Sequence, residues 1–72
     1  MAFQSFEDTA LRLADRCGIL NADFFEMTGT MFCNVDTPKA ALDLFQAEIM
    51  RIFEFKTVVT PGRYEHSIDF VA

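Results

Sequence analysis

Apolar residues recur at spacings of three and four in the second half of the chain, which is the pattern of an amphipathic helix. The members of this stripe are Leu42, Phe45, Ile49, Ile52 and Phe53. Just before it, the Thr37 hydroxyl can cap the free amides of the first turn. Pro38 suits the first helical position, because its φ is fixed and it has no N–H. The pattern predicts a helix that opens at 36–38 and runs to about Phe53.

Two short strands are predicted after this helix, joined by a turn at 60–63. Pro61 presets φ at the first central position of a type II turn, and Gly62 accepts the positive φ of the second. Such a turn places Val59 opposite Tyr64, and apolar and polar residues then alternate along both strands. The apolar face consists of Phe55, Val59, Tyr64, Ile68 and Phe70. We expect this face and the helix stripe to form the two sides of one core.

The first half of the chain predicts a short amphipathic helix followed by a strand. Ser5 can cap the start of the helix, and Gly18 can end it in the left-handed conformation. Between positions 25 and 35, apolar and polar residues alternate, with Phe25 and Met31 on the apolar side, which indicates a strand. Gly29 lies in the middle of this strand, where a glycine often marks a bulge.

The order helix, strand, helix, strand, strand predicts an α+β fold with a small three-stranded sheet. A strand joined through a helix to the next strand of one sheet makes a right-handed parallel crossover. Insertion of the last strand between these two gives the order 1-3-2 of a split β-α-β unit. We expect both helices on one face of the sheet, and its two edge strands open to a partner. With 72 residues, the chain is expected to form a single compact domain over 1–72.

Charge and cysteine content narrow the classes of function. Six Lys and Arg against eleven Asp and Glu give a net charge of −5, which argues against nucleic-acid binding because that affinity comes mainly from neutralised phosphates. Cys17 and Cys33 form no CxxC pair and are too few for a disulfide scaffold. The sequence shows neither a signal peptide nor an apolar run of the roughly 18 residues that a membrane span needs. These features predict a reduced, cytoplasmic protein without a membrane partner.

The aromatic content indicates a protein partner. Nine Phe in 72 residues exceed what the interior of so small a domain can enclose, so we expect some rings to meet a second copy or another protein. Phe32 and Val58 are large apolar residues on otherwise polar strand faces. Together with Leu44 and Met50 on the outer side of the second helix and Phe55 on an edge strand, Phe32 is an interaction candidate. The favoured function is a small, acidic, non-enzymatic protein interaction module that forms a homo-oligomer or binds another protein.

A small-molecule site around the single histidine is the alternative. His66 is the only side chain whose unperturbed pKa lies near neutrality, and Tyr64 and Cys33 are placed to line a pocket with it. An oligomeric ferredoxin-like binder or enzyme would use such a pocket. The sequence has no Gly-rich phosphate loop, no GxSxG and no HExxH. No short-spaced ligand pair indicates zinc. We therefore assign no catalytic, metal or cofactor residues and expect no cofactor.

One stretch of the chain resembles a known family. Between positions 34 and 61, Asp36-Thr37 is followed by Ala40, Ala41 and the run Leu42-Asp43-Leu44, then by Phe53-Glu54-Phe55 and a Val-containing strand. This stretch is similar to the small inhibitors of host RNA polymerase made by some podoviruses. The resemblance implies a strand, one helix and a two-stranded hairpin, with an acidic face that contacts a basic polymerase surface. The N-terminal helix is an addition to that pattern.

Overall fold

The computed structural model of the protein describes residues 2–71, and the side chains from position 6 onward. The chain forms two helices and four strands: α1 Ala2–Cys17, β1 Asp23–Phe25, β2 Thr30–Asn34, α2 Lys39–Phe53, β3 Lys56–Thr60 and β4 Glu65–Val71. The strands make one antiparallel sheet in the order β1-β2-β4-β3. The fold is α+β, as predicted.

The predicted number of strands was wrong, because the segment at 25–35 is a hairpin rather than one strand. The chain reverses after β1, where the Gly29 N–H donates to the Phe25 carbonyl oxygen at 2.9 Å. Gly29 has a φ of +64°, which a glycine adopts without strain. The order β2-β4-β3 reproduces the predicted 1-3-2, with the last strand between the other two. The additional strand, β1, pairs with the edge of β2 that was expected to be open.

The register between β3 and β4 also differs from the prediction. Val59 pairs with Ile68 and not with Tyr64, so the strands are shifted by four residues and Tyr64 lies in an exposed connection. The predicted type II turn is absent, since Gly62 does not have a positive φ. A Cβ at Gly62 would instead clash with the Glu65 carbonyl oxygen. Glycine is required there for space rather than for backbone conformation.

Both helices pack on the same face of the sheet and form one core with it. α2 contributes Phe45 and Ile49, both fully buried, to this core. Ile52, which the sequence assigned to the same stripe, is 43% exposed at the side of α2 that faces α1. The remaining members of the core are Ala10, Leu13 and Ala14 of α1, Ile19 of the α1–β1 connection, Met31 and Cys33 of β2, Ala41 and Leu42 of α2, and Ile68 of β4.

A cluster of Phe rings closes one end of this core. The ring of Phe6 in α1 lies 4.9 Å from the ring of Phe53, 5.4 Å from that of Phe55 and 5.3 Å from that of Phe70. It also meets the ring of Phe24 at 5.8 Å. All four contacts are edge-to-face, the arrangement that aromatic quadrupoles favour. The cluster therefore accommodates within one chain several rings that the composition had suggested for a partner.

The end of α1 was predicted correctly and its start was not. Gly18 has a φ of +94°, and its N–H donates to the Asp15 carbonyl oxygen. The Ile19 N–H donates to the Ala14 carbonyl oxygen at 2.9 Å, which completes a Schellman motif. The helix begins at Ala2, so the backbone of Ser5 lies inside it and not at its N-cap.

The start of α2 differs in detail from the prediction. The helix begins at Lys39 with Pro38 as its N-cap, and no side chain caps its first turn. The hydroxyl of the buried Thr37 instead accepts a hydrogen bond from the Leu20 N–H at 3.1 Å. Thr37 therefore holds the α1–β1 connection against the start of α2.

The C-cap residue of α2 gives a testable prediction. Glu54 has a φ of +59° and donates its N–H to the Met50 carbonyl oxygen. A side chain in this left-handed conformation costs roughly 1–2 kcal/mol. We expect Glu54→Gly to raise the free energy of unfolding by about 1 kcal/mol in urea titrations. Glu54→Ala removes the same charge but keeps a Cβ, so an equal gain in that variant would contradict the explanation.

Candidate interaction surface

The structure separates the four interaction candidates from one another. Phe32 is half-buried on the sheet face that the helices leave uncovered, where its ring lies 5.0 Å from that of Phe25. Leu44 and Met50 are 52% and 41% exposed on α2. Phe55 is half-buried in the aromatic cluster around Phe6 and just precedes β3. Of the four, Phe32 belongs to a larger apolar surface.

Two of the three pocket candidates are neighbours. Cys33 of β2 and His66 of β4 stand directly opposite each other in the sheet. Tyr64 precedes β4 and is 78% exposed, so it does not enclose a space with them. The clefts described below are lined by other residues. A small-molecule site at His66 stays a prediction.

The chemistry around Cys33 is that of a protein core. Burial raises the pKa of the Cys33 thiol, although contacts with Thr37 and with the His66 backbone partly oppose this effect. The thiol is therefore protonated at neutral pH and a poor nucleophile. The Nδ1 atom of His66 is buried and has no hydrogen-bond partner among the described residues. The pair does not form an activated nucleophile.

The uncovered sheet face, called here the open face, carries a set of large apolar side chains. Side chains alternate between the two sides of a strand, and the strand register therefore fixes which residues share this face. Phe25, Val58 and Val71 on it are each about half exposed, and no helix of residues 2–71 packs over them. Its apolar members are Phe25, Phe32, Val58 and Val71.

Polar residues between these side chains make the open face acidic. Near its centre, the Thr30 hydroxyl donates to the Asp69 carboxylate across β2 and β4 at 2.7 Å, which fixes the position of one negative charge. Asp23 and Glu65 lie on the same face, and Lys56 is the one cation there. Among the described strand residues, this surface therefore carries three carboxylates and one ammonium group.

The dimensions of the open face determine the kind of complex that it can support. Four strands at a spacing of about 4.8 Å and five residues at about 3.3 Å give a surface of roughly 19 by 17 Å. This area includes the polar side chains of the face and lies at the lower end of the roughly 300–600 Å² that the largest apolar patch of a typical monomer covers. It is smaller than the roughly 800 Å² per partner of a standard stable interface.

The ion pairs of α2 lie away from this face, and one cleft adjoins it through Phe25. Lys39–Asp43 and Arg51–Glu48 are ion pairs between neighbouring turns of α2. A cleft of about 480 Å³ lies between α1 and the β1–β2 turn, lined mainly by Phe24, Phe25, Met27 and Thr28, with Glu7 and Glu26 beside them. A second, smaller groove of about 320 Å³ runs between α2 and β3.

Sequence reasoning missed Phe25 and Val71 as members of the open face. It placed Phe25 on the same side as Met31, because the alternating pattern continues through the turn at 26–29. Val58 was the residue from which the open face could have been predicted, since it is an apolar residue on an otherwise polar strand face.

Comparison of the chain with protein-family models, with curated proteins and with solved structures gives no match. Neither helix in the described part of the chain has both the length and the apolar character that a membrane crossing requires. Within residues 2–71, no three His, Cys, Asp or Glu side chains are grouped so that they could hold a metal ion.

Proposed function

We propose that this protein is a non-enzymatic interaction module that binds another protein through the open face of its sheet. The observation that carries the proposal is the uncovered side of the sheet, where the rings of Phe25 and Phe32 lie together. Aromatic side chains are enriched at the centres of protein interfaces, where they contribute most of the binding energy. Exposed apolar side chains on a sheet face otherwise favour aggregation, so they indicate a partner.

Charge identifies the kind of partner. The open face has three carboxylates and one ammonium group, and two copies placed face to face would repel each other. A partner with basic residues around an apolar centre is complementary to it. Such a partner also agrees with the resemblance to podovirus polymerase inhibitors, and we extend the proposal to a modulator of a host protein. The small area predicts a micromolar complex whose association is weakened by salt.

Site-specific photocrosslinking in the producing cell tests this proposal. A benzoylphenylalanine at position 32 is compared with the same group at position 52, where Ile52 is also partly exposed but lies on α2. We expect a protein adduct from position 32 that position 52 does not give. The captured protein is then identified, purified and titrated with the interaction module at low and high salt.

Variants of the open face complete the test. We expect Phe25→Ser combined with Phe32→Ser to weaken binding of the purified partner at least tenfold, while Ile52→Ser leaves it unchanged. Circular dichroism of each variant establishes that the fold is kept. The same adducts from both positions, or equal affinity of the double variant and the parent protein, would refute the proposal.

A further inference from the structure

The free edge of β3 exposes unpaired backbone groups at two residues. The Thr57 carbonyl oxygen accepts a hydrogen bond from the Gln46 side chain of α2 at 3.1 Å, so it points away from β4. Backbone groups of alternate residues in a strand point to the same side. The N–H and C=O groups of Val59 therefore also point outward, while those of Val58 face Asp69 in β4. The Thr57 oxygen keeps a second lone pair for another donor.

The other edge of the sheet is less suited to pairing. β1 has three residues, each in register with a residue of β2. Carrying the alternation from β3 across the sheet makes Asp23 and Phe25 the residues whose backbone groups face β2. Applying the same alternation to this strand leaves one residue, Phe24, with outward backbone groups. An exposed edge invites another strand in proportion to the row of unpaired groups that it presents. β3 is accordingly the edge at which a further strand can be added.

We propose that β3 pairs with β3 of a second copy across a two-fold axis, which extends the sheet to eight strands. The axis passes beside Val58, so that Thr57 of each copy lies opposite Val59 of the other and exchanges both N–H···O=C bonds with it. This register uses all the outward groups of both residues. A two-fold axis at Val59 would place Thr57 opposite Pro61, which has no N–H to donate.

The residues around this edge favour a second copy as the occupant. In the proposed register, Lys56 lies opposite Thr60, and Val58 lies opposite its own counterpart, so no like charges face each other. The flank of α2 above β3 presents Lys39 and Asp43, one charge of each sign. The flank of α2 above the β3 edge therefore carries no excess of one charge, whereas the open face as a whole is acidic.

The pairing would also cover apolar side chains that are exposed in the single chain. Val58 is 52% exposed at this edge and would meet Val58 of the other copy in a non-hydrogen-bonded pair, where side chains are closest. Met50 lies one helical turn beyond Gln46, which contacts β3, and is 41% exposed. Met50 was an interaction candidate from the sequence, and this arrangement gives it a partner surface.

Sedimentation equilibrium and amide hydrogen exchange test the inference on the full chain. We expect a reversible transition from 8.2 kDa to twice that mass as the concentration rises to about 1 mM. The amides of Thr57 and Val59 should become protected in the same range, whereas the protection of the Val58 amide stays constant. Val58→Lys places two ammonium groups opposite each other and should weaken the dimer at least tenfold.

Two controls separate this result from other modes of association. Met27→Lys adds the same charge in the β1–β2 turn, at the opposite edge of the sheet, and should leave the dimer unchanged. The double change Phe25→Ser and Phe32→Ser should also leave it unchanged, because these residues lie in β1 and β2, away from the β3 edge. A protein that stays monomeric up to about 1 mM, or a dimer that Val58→Lys does not weaken, would overturn the pairing.

Discussion

Replacement of Phe45 by alanine is expected to lower the free energy of unfolding by about 3–5 kcal/mol. The side chain of Phe45 is fully buried between α2 and the sheet, and its ring lies 6.2 Å from that of Phe70. Removal of a large ring from a close-packed core loses its transfer free energy and leaves a cavity that the surroundings fill only in part. Small domains have roughly 5–15 kcal/mol of total stability, so this variant should be barely folded at room temperature.

Urea titration followed by circular dichroism measures this effect. Leu44→Ala is the matched control, because Leu44 is the preceding residue of the same helix but half exposed. It should cost less than about 1 kcal/mol. A loss below about 1 kcal/mol for Phe45→Ala would show that the core is not packed around this ring.

Replacement of Gly62 by alanine is expected to destabilise the protein by about 2–3 kcal/mol. The added Cβ would clash with the Glu65 carbonyl oxygen, which is backbone and cannot move aside without a shift of the β3–β4 connection. Thr60 and Ser67 form the residue pair of β3 and β4 that lies nearest to that connection. Besides the loss of stability, we expect faster amide exchange at the adjoining ends of β3 and β4.

Gly29→Ala provides the comparison for this prediction. Gly29 has a positive φ, but a Cβ there would meet no atom within 4 Å. Its replacement should cost only the roughly 1–2 kcal/mol of the left-handed conformation. If Gly62→Ala were harmless while Gly29→Ala was not, backbone conformation rather than space would govern these two positions.

The parts of the fold that the sequence predicted are those with local periodicity. Phe45 and Ile49 repeat at helical spacing, and the structure buries both completely. The end of α1 at Gly18 was also predicted, because a left-handed helix cap depends only on one residue and its sequence neighbours. The last strand lies between the two others, as in the split β-α-β arrangement that the order of the elements suggested.

The errors have a common cause in the two-residue period of strands. A shift of four residues between β3 and β4 keeps every side chain on its face, so Val59 satisfies the apolar pattern opposite either Tyr64 or Ile68. The alternation from Phe25 onward likewise continues through a turn that reverses the chain. Periodicity identifies which residues share a face of a strand, but it does not give the length or the position of a turn.

These errors limited the prediction of the interaction surface. Phe32 was recognised because it interrupts a polar strand face, whereas Phe25 was assigned to the buried side. The partnership of Phe25 and Phe32 depends on the β1–β2 turn. Phe55 was predicted to contact a partner, whereas it packs in the cluster around Phe6. That cluster joins distant parts of the chain, so no local sequence pattern could predict it.

That cluster has a consequence for biosynthesis. Phe6 leaves the ribosome before the rings that surround it, which include Phe53, Phe55 and Phe70. Contacts between sequence-distant residues form late and slow the folding of a domain. Helix α1 therefore emerges without these aromatic neighbours, and the native domain assembles only after β4 has left the ribosome.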